Sequence, residues 1–415
     1  MEKSVLEEFN HWWIKKQVDS ELALPFKRDN YKEIEKSLNN KFIIALVGLR
    51  RVGKTITIYQ LIQRLIEEKK EITNILFFSF DEKSAKLSDV INTYREIQGK
   101  DFREEKIFVF LDEIQKCDNW ENEIKKYYDL YPKLKFIISG SESLFIRKRT
   151  KETLAGRIFE FTLTPFTFRE YLRFKNIKEE DFKYEIKIKP LFFKFIEKGG
   201  FPETFSLEKE REFRGYVRAL VVDKIVYKDI PGIFKIEEPD LLKTLLELIA
   251  MNPGIYIDYQ SLSRQYGKDR RVIKDYIEYL KESFLIKLLR NYRKGSTTLR
   301  KMKRAYPADN SLIYLYKTRI EDDFFGKMVE TAAINKIEAK TFWKNGNEID
   351  IIDNDIPIEV KYKEKITSED FKPIRKFMRK FSKKEGIILT KNQEKPVTFE
   401  EGKIKLIPLW KWLIG

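Results

Sequence analysis

The sequence predicts an α/β protein: a mostly parallel sheet with helices on both faces, followed by a helical region and then a second, small α/β region. Three observations carry this. Apolar runs of strand length alternate with stretches of helical periodicity up to about residue 141. The first of these runs leads through a glycine-rich loop into an amphipathic helix. Near residue 350, two short strands flank a two-residue turn and bear acids at matched positions. The expected divisions are 1–165, 166–235, 236–315 and 316–415.

The run Phe42-Ile43-Ile44-Ala45-Leu46-Val47 reads as a buried strand, and Thr55 to Lys69, with Ile58, Leu61, Ile62, Leu65 and Ile66 at helical spacing, as the helix. Between them Gly48-Leu49-Arg50-Arg51-Val52-Gly53-Lys54-Thr55 fits the phosphate-binding pattern G-x-x-x-x-G-K-[ST] at every fixed position. Gly48 and Gly53 permit torsions and close approaches that a Cβ would block. Successive N–H groups can therefore turn onto phosphate oxygens at the positive end of the helix dipole. The cradle comprises Gly48, Arg50, Arg51, Val52, Gly53, Lys54, Thr55 and Ile56. Lys54 reaches the β- and γ-phosphates, and the Thr55 hydroxyl ligates Mg²⁺.

Ile107-Phe108-Val109-Phe110-Leu111-Asp112-Glu113 is a second apolar strand ending in two acids. One crossover or more beyond the loop, Asp112 is placed to hold Mg²⁺ and Glu113 to polarise the water that attacks the γ-phosphate. Ile75 to Phe80 supplies a strand between the two, and Phe136-Ile137-Ile138-Ser139-Gly140-Ser141 one after them. Ser139 and Ser141 are either a polar sensor for the γ-phosphate or a plain strand-end turn. No Asn-Lys-x-Asp guanine-reading sequence occurs, which favours ATP over GTP.

Composition narrows the chemistry. Of 415 residues, 82 are Lys or Arg against 66 Asp or Glu, a formal charge of +16. That excess suits a polyanionic partner such as DNA, and also a Lys/Glu-rich surface from a heat-adapted organism. Cys117 is the single cysteine and His11 the single histidine. Intramolecular disulfides, cysteine zinc sites and mechanisms built on a histidine base are thereby set aside, leaving carboxylates, lysines, arginines and hydroxyls. An acidic N-terminus without an apolar core, and the lack of any long apolar run, predict a cytoplasmic protein with no membrane partner.

Taken together, Gly48 to Thr55, Leu111-Asp112-Glu113-Ile114-Gln115, Ser139-Gly140-Ser141, Leu154-Ala155-Gly156-Arg157 and Gly199-Gly200-Phe201-Pro202-Glu203 resemble archaeal and bacterial P-loop ATPases of the AAA superfamily. The resemblance spans roughly half the chain. It implies the P-loop NTPase fold, ATP and ADP as ligands, and Mg²⁺. It also makes Arg157 either an arginine finger or sensor, acting on its own nucleotide or on that of a neighbour in a homo-oligomer, or a surface arginine on a loop.

From Leu241 to Ile249 a helix runs to the breaker Asn252-Pro253-Gly254. Tyr259 to Tyr266 and Arg270 to Ser283 follow, joined at Gly267-Lys268-Asp269, and short strands come next. That order is the one of a winged helix. Lys268, Arg270, Arg271 and Lys274 would stand near the start of the reading helix. Arg290, Arg293, Lys294, Arg300, Lys301, Lys303 and Arg304, with Tyr292 and Tyr306, would form a basic hairpin able to grip a DNA backbone. A winged helix also serves as a protein-contacting lid.

The segment Asn347 to Lys361 reads as a hairpin turning at Asn354-Asp355. Asp353 then faces Ile356, which sets Asp350 opposite Glu359 and Glu348 opposite Lys361, all on one face. Opposed carboxylates repel unless a cation sits between them. Asp350 and Glu359 are thus candidate Mg²⁺ ligands, Glu330 a supporting one, and Lys361 a catalytic group that orients water. This region resembles the PD-(D/E)xK, restriction-endonuclease-like fold, which implies either a nuclease or an inert binding module. The leading expectation is an ATPase coupled to a DNA-binding, nuclease-like tail, acting in DNA processing or defence. The other is an ATP-dependent switch whose C-terminal part docks protein or DNA without cleavage.

Overall fold

The computed structural model describes residues 1–140, 153–234, 236–292 and 302–415. Two compact units divide it, Met1–Thr164 and Pro165–Gly415. Among the described residues no helix is long and apolar enough to cross a membrane.

In the N-terminal unit five strands, β1 (Ile43–Val47), β2 (Ile75–Ser79), β3 (Ile107–Asp112), β4 (Leu134–Gly140) and β5 (Ile158–Thr162), form a sheet in the order β2-β3-β4-β1-β5. All neighbours are parallel. Strands β1 to β4 are buried along their whole length, as their unbroken apolar runs require of a sheet covered on both faces. Strand β4 separates β3 from β1, so the acids ending β3 and the glycine loop leaving β1 meet across the carboxyl end of β4.

The segment before β1 protects the outer edge of β2. Asn10 imitates a neighbouring strand: its Oδ1 accepts from Phe77 N–H at 2.6 Å and its Nδ2 donates to Phe77 O at 2.9 Å. The indoles of Trp12 and Trp13 both donate to Ile75 O, at 3.3 and 2.9 Å. Side chains thus satisfy polar groups that would otherwise template association. At the other end of the sheet, Lys135 Nζ gathers the carbonyls of Ser37, Asn40 and Phe42, fixing the loop that enters β1.

The C-terminal unit carries nine strands. They are β6 (Ile255–Tyr256), β7 (Ile286–Asn291), β8 (Lys303–Pro307), β9 (Thr341–Asn345), β10 (Asn347–Asp353), β11 (Ile356–Lys361), β12 (Glu385–Thr390), β13 (Lys395–Phe399) and β14 (Gly402–Pro408), in the order β13-β14-β12-β11-β10-β9-β7-β8-β6. Helices Pro239–Met251, Tyr259–Tyr266 and Arg270–Glu282 stand within two residues of their expected bounds. The strands that follow them do not close a separate domain, because β7 pairs parallel with β9. The divisions 236–315 and 316–415 therefore share one sheet, and 166–235 belongs to the same unit.

Gly199 and Gly200 form a packing joint inside this unit. A Cβ on Gly199, whose φ is +78°, would lie 2.0 Å from Asp309 Oδ1, and one on Gly200 2.3 Å from Phe166 O. Asp309 accepts from Gly200 N–H at 3.0 Å and from Ser311 N–H at 2.9 Å. The Gly-Gly-Phe-Pro-Glu segment thus seats a buried carboxylate. Burial raises the Asp309 pKa to about 6 against those hydrogen bonds.

Candidate nucleotide site and the acidic cluster

Strand β1 ends at Val47, residues 48–53 make the loop, and the helix Lys54–Glu67 begins at the lysine of the motif. Gly48 adopts φ +145°, and a Cβ there would stand 2.0 Å from Leu163 O; Gly53 adopts φ +94°. Both glycines are demanded by the backbone, as the pattern predicted. The loop is braced from behind by Arg28, whose guanidinium donates to Val52 O and Thr164 O, each at 2.8 Å. No local pattern marks Arg28, because its partners are carbonyls 24 and 136 residues away.

Lys54 Nζ is buried over the loop, donating to Gly48 O at 3.1 Å and Leu49 O at 2.9 Å, with Glu113 Oε1 at 3.9 Å. Thr55 Oγ1 donates to Asp112 Oδ2 at 2.8 Å. Ser139 donates to the other oxygen of Asp112 and accepts from Glu113 N–H at 3.1 Å. Ser139 therefore orients both acids. Ser141 lies outside the described residues. Burial above all, and then the neighbouring Glu113, raise the Asp112 pKa; Ser139, Thr55 and Lys54 oppose the rise. A carboxylate so desolvated is stabilised by a cation placed against it.

Glu113 sits at φ +51°, a conformation that side chains seldom adopt and that recurs at functional sites. Its carboxylate accepts from the amide of Gln115, two residues on. The sequence shows Gln115 as part of a motif but gives no sign of that contact. The loop, Lys54, Thr55, Asp112, Glu113 and Ser139 are thus brought together at the carboxyl ends of parallel strands, where α/β sheets bind ligands.

Arg157 is placed elsewhere, which corrects its expected role on its own nucleotide. It precedes β5, and its carbonyl accepts from Ile43 N–H at the start of β1. Five residues of strand, about 16 Å, separate that level from the loop end. Its guanidinium pairs with Asp129, at 3.1 Å from Nε to Oδ1.

The hairpin of the C-terminal unit has the expected register. Asp353 faces Ile356, and Ile351 opposite Ile358 sets Asp350 next to Glu359. Between β10 and β9 the register shifts between Ile349 and Ile352, an irregularity of the ladder that includes Asp350. Asp350 Oδ2 accepts from Val360 N–H at 2.9 Å, and Glu359 Oε2 from Asp350 N–H at 3.2 Å.

Glu330, Asp350 and Glu359, expected as metal ligands, each have a partner within the chain. Among the described residues no group of three or more His, Cys, Asp or Glu is arranged to hold an ion. Arg304 on β8 occupies the middle of the acids instead. Its guanidinium lies 2.9 Å from Glu330, 2.9 Å from Glu348 and 3.4 Å from Asp350, and Nε donates to Gly254 O at 3.1 Å. Tyr306 completes the cluster by donating to Glu330. The guanidinium offsets part of the negative charge of Glu330, Glu348 and Asp350.

Lys361 Nζ is 2.6 Å from Glu359 Oε1, so this lysine, read as catalytic, is paired with the very acid read as a ligand. Burial would lower the Lys361 pKa, but Glu359 and Asp350 raise it. Burial first, and then Asp350, push Glu330 and Glu359 each up to about 8. These buried carboxylates therefore take up protons more readily than exposed ones do.

The basic hairpin is corrected in part. Lys303 pairs with Glu278 at 2.6 Å and Arg304 with the acids, so neither is presented to a phosphate backbone. Tyr306 is fully buried. Arg293, Lys294, Arg300 and Lys301 lie outside the described residues. On the helix Arg270–Glu282, Ile273, Tyr276, Ile277 and Leu280 face the core, while Arg270, Arg271 and Lys274 are exposed. Lys268 pairs with Glu238.

Residues 189–323 and 325–412 match two domains of unknown function, DUF8612 and DUF4143. An uncharacterized protein of Methanocaldococcus jannaschii is 25% identical over 92% of this chain and 90% of its own. A second from that organism is 29% identical over 76% and 71%. One from Haemophilus influenzae is 24% identical over 69% and 72%. Among solved structures, the Thermotoga maritima RuvB Holliday junction branch migration motor aligns at 16% identity over 69% of this chain and 93% of that one, with a TM-score of 0.33. AMPPCP-bound DnaA from Aquifex aeolicus aligns at 13% identity over 61% and 86%, with a TM-score of 0.29. Residues 40–172 match the AAA domain, and with the loop, the Asp112-Glu113 pair and the parallel sheet about them, the N-terminal unit has the α/β fold of a P-loop NTPase.

Proposed function

We propose that the chain binds ATP with Mg²⁺ and hydrolyses it in the N-terminal unit, and that the C-terminal unit is a DNA-binding module without cleavage chemistry. The observation that carries the first part is the continuous polar array Thr55–Asp112–Ser139–Glu113 beside the glycine loop. Its donors fit the cation: a hydroxyl and a carboxylate, both hard oxygen ligands, 2.8 Å apart. Held by Thr55 and Asp112, Mg²⁺ would supply neutralisation of phosphate charge.

The remaining work falls to the chain. Backbone N–H groups of residues 50–56 bind the phosphates at the helix start, and Lys54 exchanges its carbonyl partners for phosphate oxygens. Glu113 orients the attacking water and accepts its proton, held in place by Gln115 and by the Ser139 hydroxyl on its N–H.

For the second part, the exposed Arg270, Arg271 and Lys274 support phosphate contacts near the start of a reading helix. Arg304 among the acids supports binding without cutting. ATP turnover measured for wild type and Glu113→Gln, each with and without DNA, tests the reading. The expected outcome is turnover in wild type, stimulated by DNA, and a loss of at least a hundredfold in Glu113→Gln. Equal turnover in the two proteins would remove the hydrolytic assignment, and salt-insensitive indifference to DNA the other.

A further inference from the structure

Within the C-terminal unit, the helix Glu210–Tyr216 continues into the wider turns of Val217–Val222 and lines a cavity of about 800 Å³. Glu247, from the helix Pro239–Met251, and Tyr316, ending the helix Asn310–Tyr316, also line it. Such a volume suits a small organic ligand. Wide turns of this kind inside helices concentrate at functional sites.

Three arginines face the cavity, and their roles differ. Arg214 is a strut: its guanidinium lies 2.7 Å from Glu210 Oε1 and donates to Leu315 O at 2.9 Å and Lys317 O at 2.7 Å. Arg211 and Arg218 are exposed and make no hydrogen bond or ion pair among the described residues; the same holds for Glu247. The Tyr316 hydroxyl is covered and has no hydrogen-bond partner among the described residues, an unfavourable state for a buried polar group. Gly215, between the arginines, points to the same use. A Cβ there would meet nothing within 4 Å, so packing does not demand glycine. In a helix it is less favourable than alanine, and what it achieves here is a bare wall between Arg211 and Arg218.

We propose that this cavity is a phosphate-ester site. Arg211 and Arg218 hold the anionic group, as guanidinium forks suit phosphate oxygens. The Tyr316 hydroxyl donates to it once the ring turns toward the ligand, and Glu247 accepts from a donor group on the same molecule, such as a sugar hydroxyl or a base amine. The ligand class is a nucleoside phosphate, either free or as part of a single strand. The site is independent of the phosphate loop and of the ATPase reading.

The experiment uses the full chain carrying Lys54→Ala, so that the phosphate loop contributes little. Calorimetric titration at low salt with adenosine 5′-monophosphate, and separately with a ten-nucleotide oligo(dT), is compared in four cavity backgrounds: unchanged, Arg211→Gln with Arg218→Gln, Arg211→Lys with Arg218→Lys, and Gly215→Leu. The Gln pair is expected to weaken binding at least tenfold and the Lys pair to recover part of it. Gly215→Leu should weaken it comparably without lowering the melting temperature. Response to the monophosphate identifies a free nucleotide as the source, and response to oligo(dT) alone a nucleic-acid strand. Neither probe binding the parent, or equal binding in parent and Gln pair, overturns the proposal.

Discussion

Replacing Arg304 by Met keeps the aliphatic stem and removes the charge on which the acidic cluster rests. Arg304 is 7% exposed, and its guanidinium lies within 3.4 Å of three carboxylates. A pair of unit charges about 4 Å apart attracts by roughly 4 kcal/mol at an effective dielectric of about 20, but desolvation cancels much of that. Stranding the acids by deleting their partner therefore costs a net of about 3–5 kcal/mol. The loss depends on pH. The folded pKa of Glu330, already raised to about 8 with Arg304 opposing the rise, moves further up in the variant. An acid whose folded pKa is raised contributes stability present below its unfolded value of 4.5 and lost as pH rises through the folded one. The deficit should be smaller at pH 6 than at pH 9. Urea unfolding of Arg304→Met and wild type at both pH values, followed through the fluorescence of the buried Trp343, measures it. Millimolar Mg²⁺ should leave the wild-type transition of this unit unchanged. An unaltered midpoint at pH 9, or wild-type stabilisation by Mg²⁺ that vanishes in Asp350→Asn, would refute the reasoning.

Three further outcomes follow from the N-terminal unit. Gly48→Ala forces a Cβ to within 2.0 Å of Leu163 O at φ +145°, and thermal protection by ATP and Mg²⁺ should disappear; a shift equal to wild type would show that the loop can yield. Asn10→Ala leaves Phe77 N–H and C=O unpaired on the sheet edge, so stability should fall by about 1–3 kcal/mol, and light scattering on heating should reveal association that wild type lacks. Arg157→Ala should leave turnover within about twofold when measured at low protein concentration, because its partner is Asp129 and its level is that of Ile43. A drop of a hundredfold that appears only as concentration rises would instead assign Arg157 to a neighbour's nucleotide.

The N-terminal unit was legible because its chemistry is local. Eight consecutive residues dictate the loop, and each of its glycines meets the steric demand read from the pattern. Strand bounds could be read because β1 to β4 are buried on both faces and so apolar without interruption. Asn10, Trp12 and Trp13 were illegible for the converse reason. Their partners are main-chain groups more than sixty residues away, and the need for them arises only once β2 is known to be an edge. Arg28 bracing Val52 is the same case.

Charge is where reading in one dimension fails most clearly. Lys303 and Arg304 close a run of cations, and the acids opposing them stand far along the chain, 26 residues away for Glu330 and 46 for Asp350. From the sequence, the run reads as a phosphate grip and the acids read as a cation cage. Both inferences share one step, that each set lacks a partner. The pairing of β7 with β9 removes that step for both at once, because it carries β8 and its arginine to the ladder irregularity that includes Asp350. Residues read as two separate sites thereby come to stand in one cluster. Among the described residues, the cations that folding leaves without an ion pair include Arg270, Arg271 and Lys274 on one helix and Arg211 and Arg218 on another. The net charge of +16 is therefore a guide to a polyanionic partner only after the internally matched cations have been set aside.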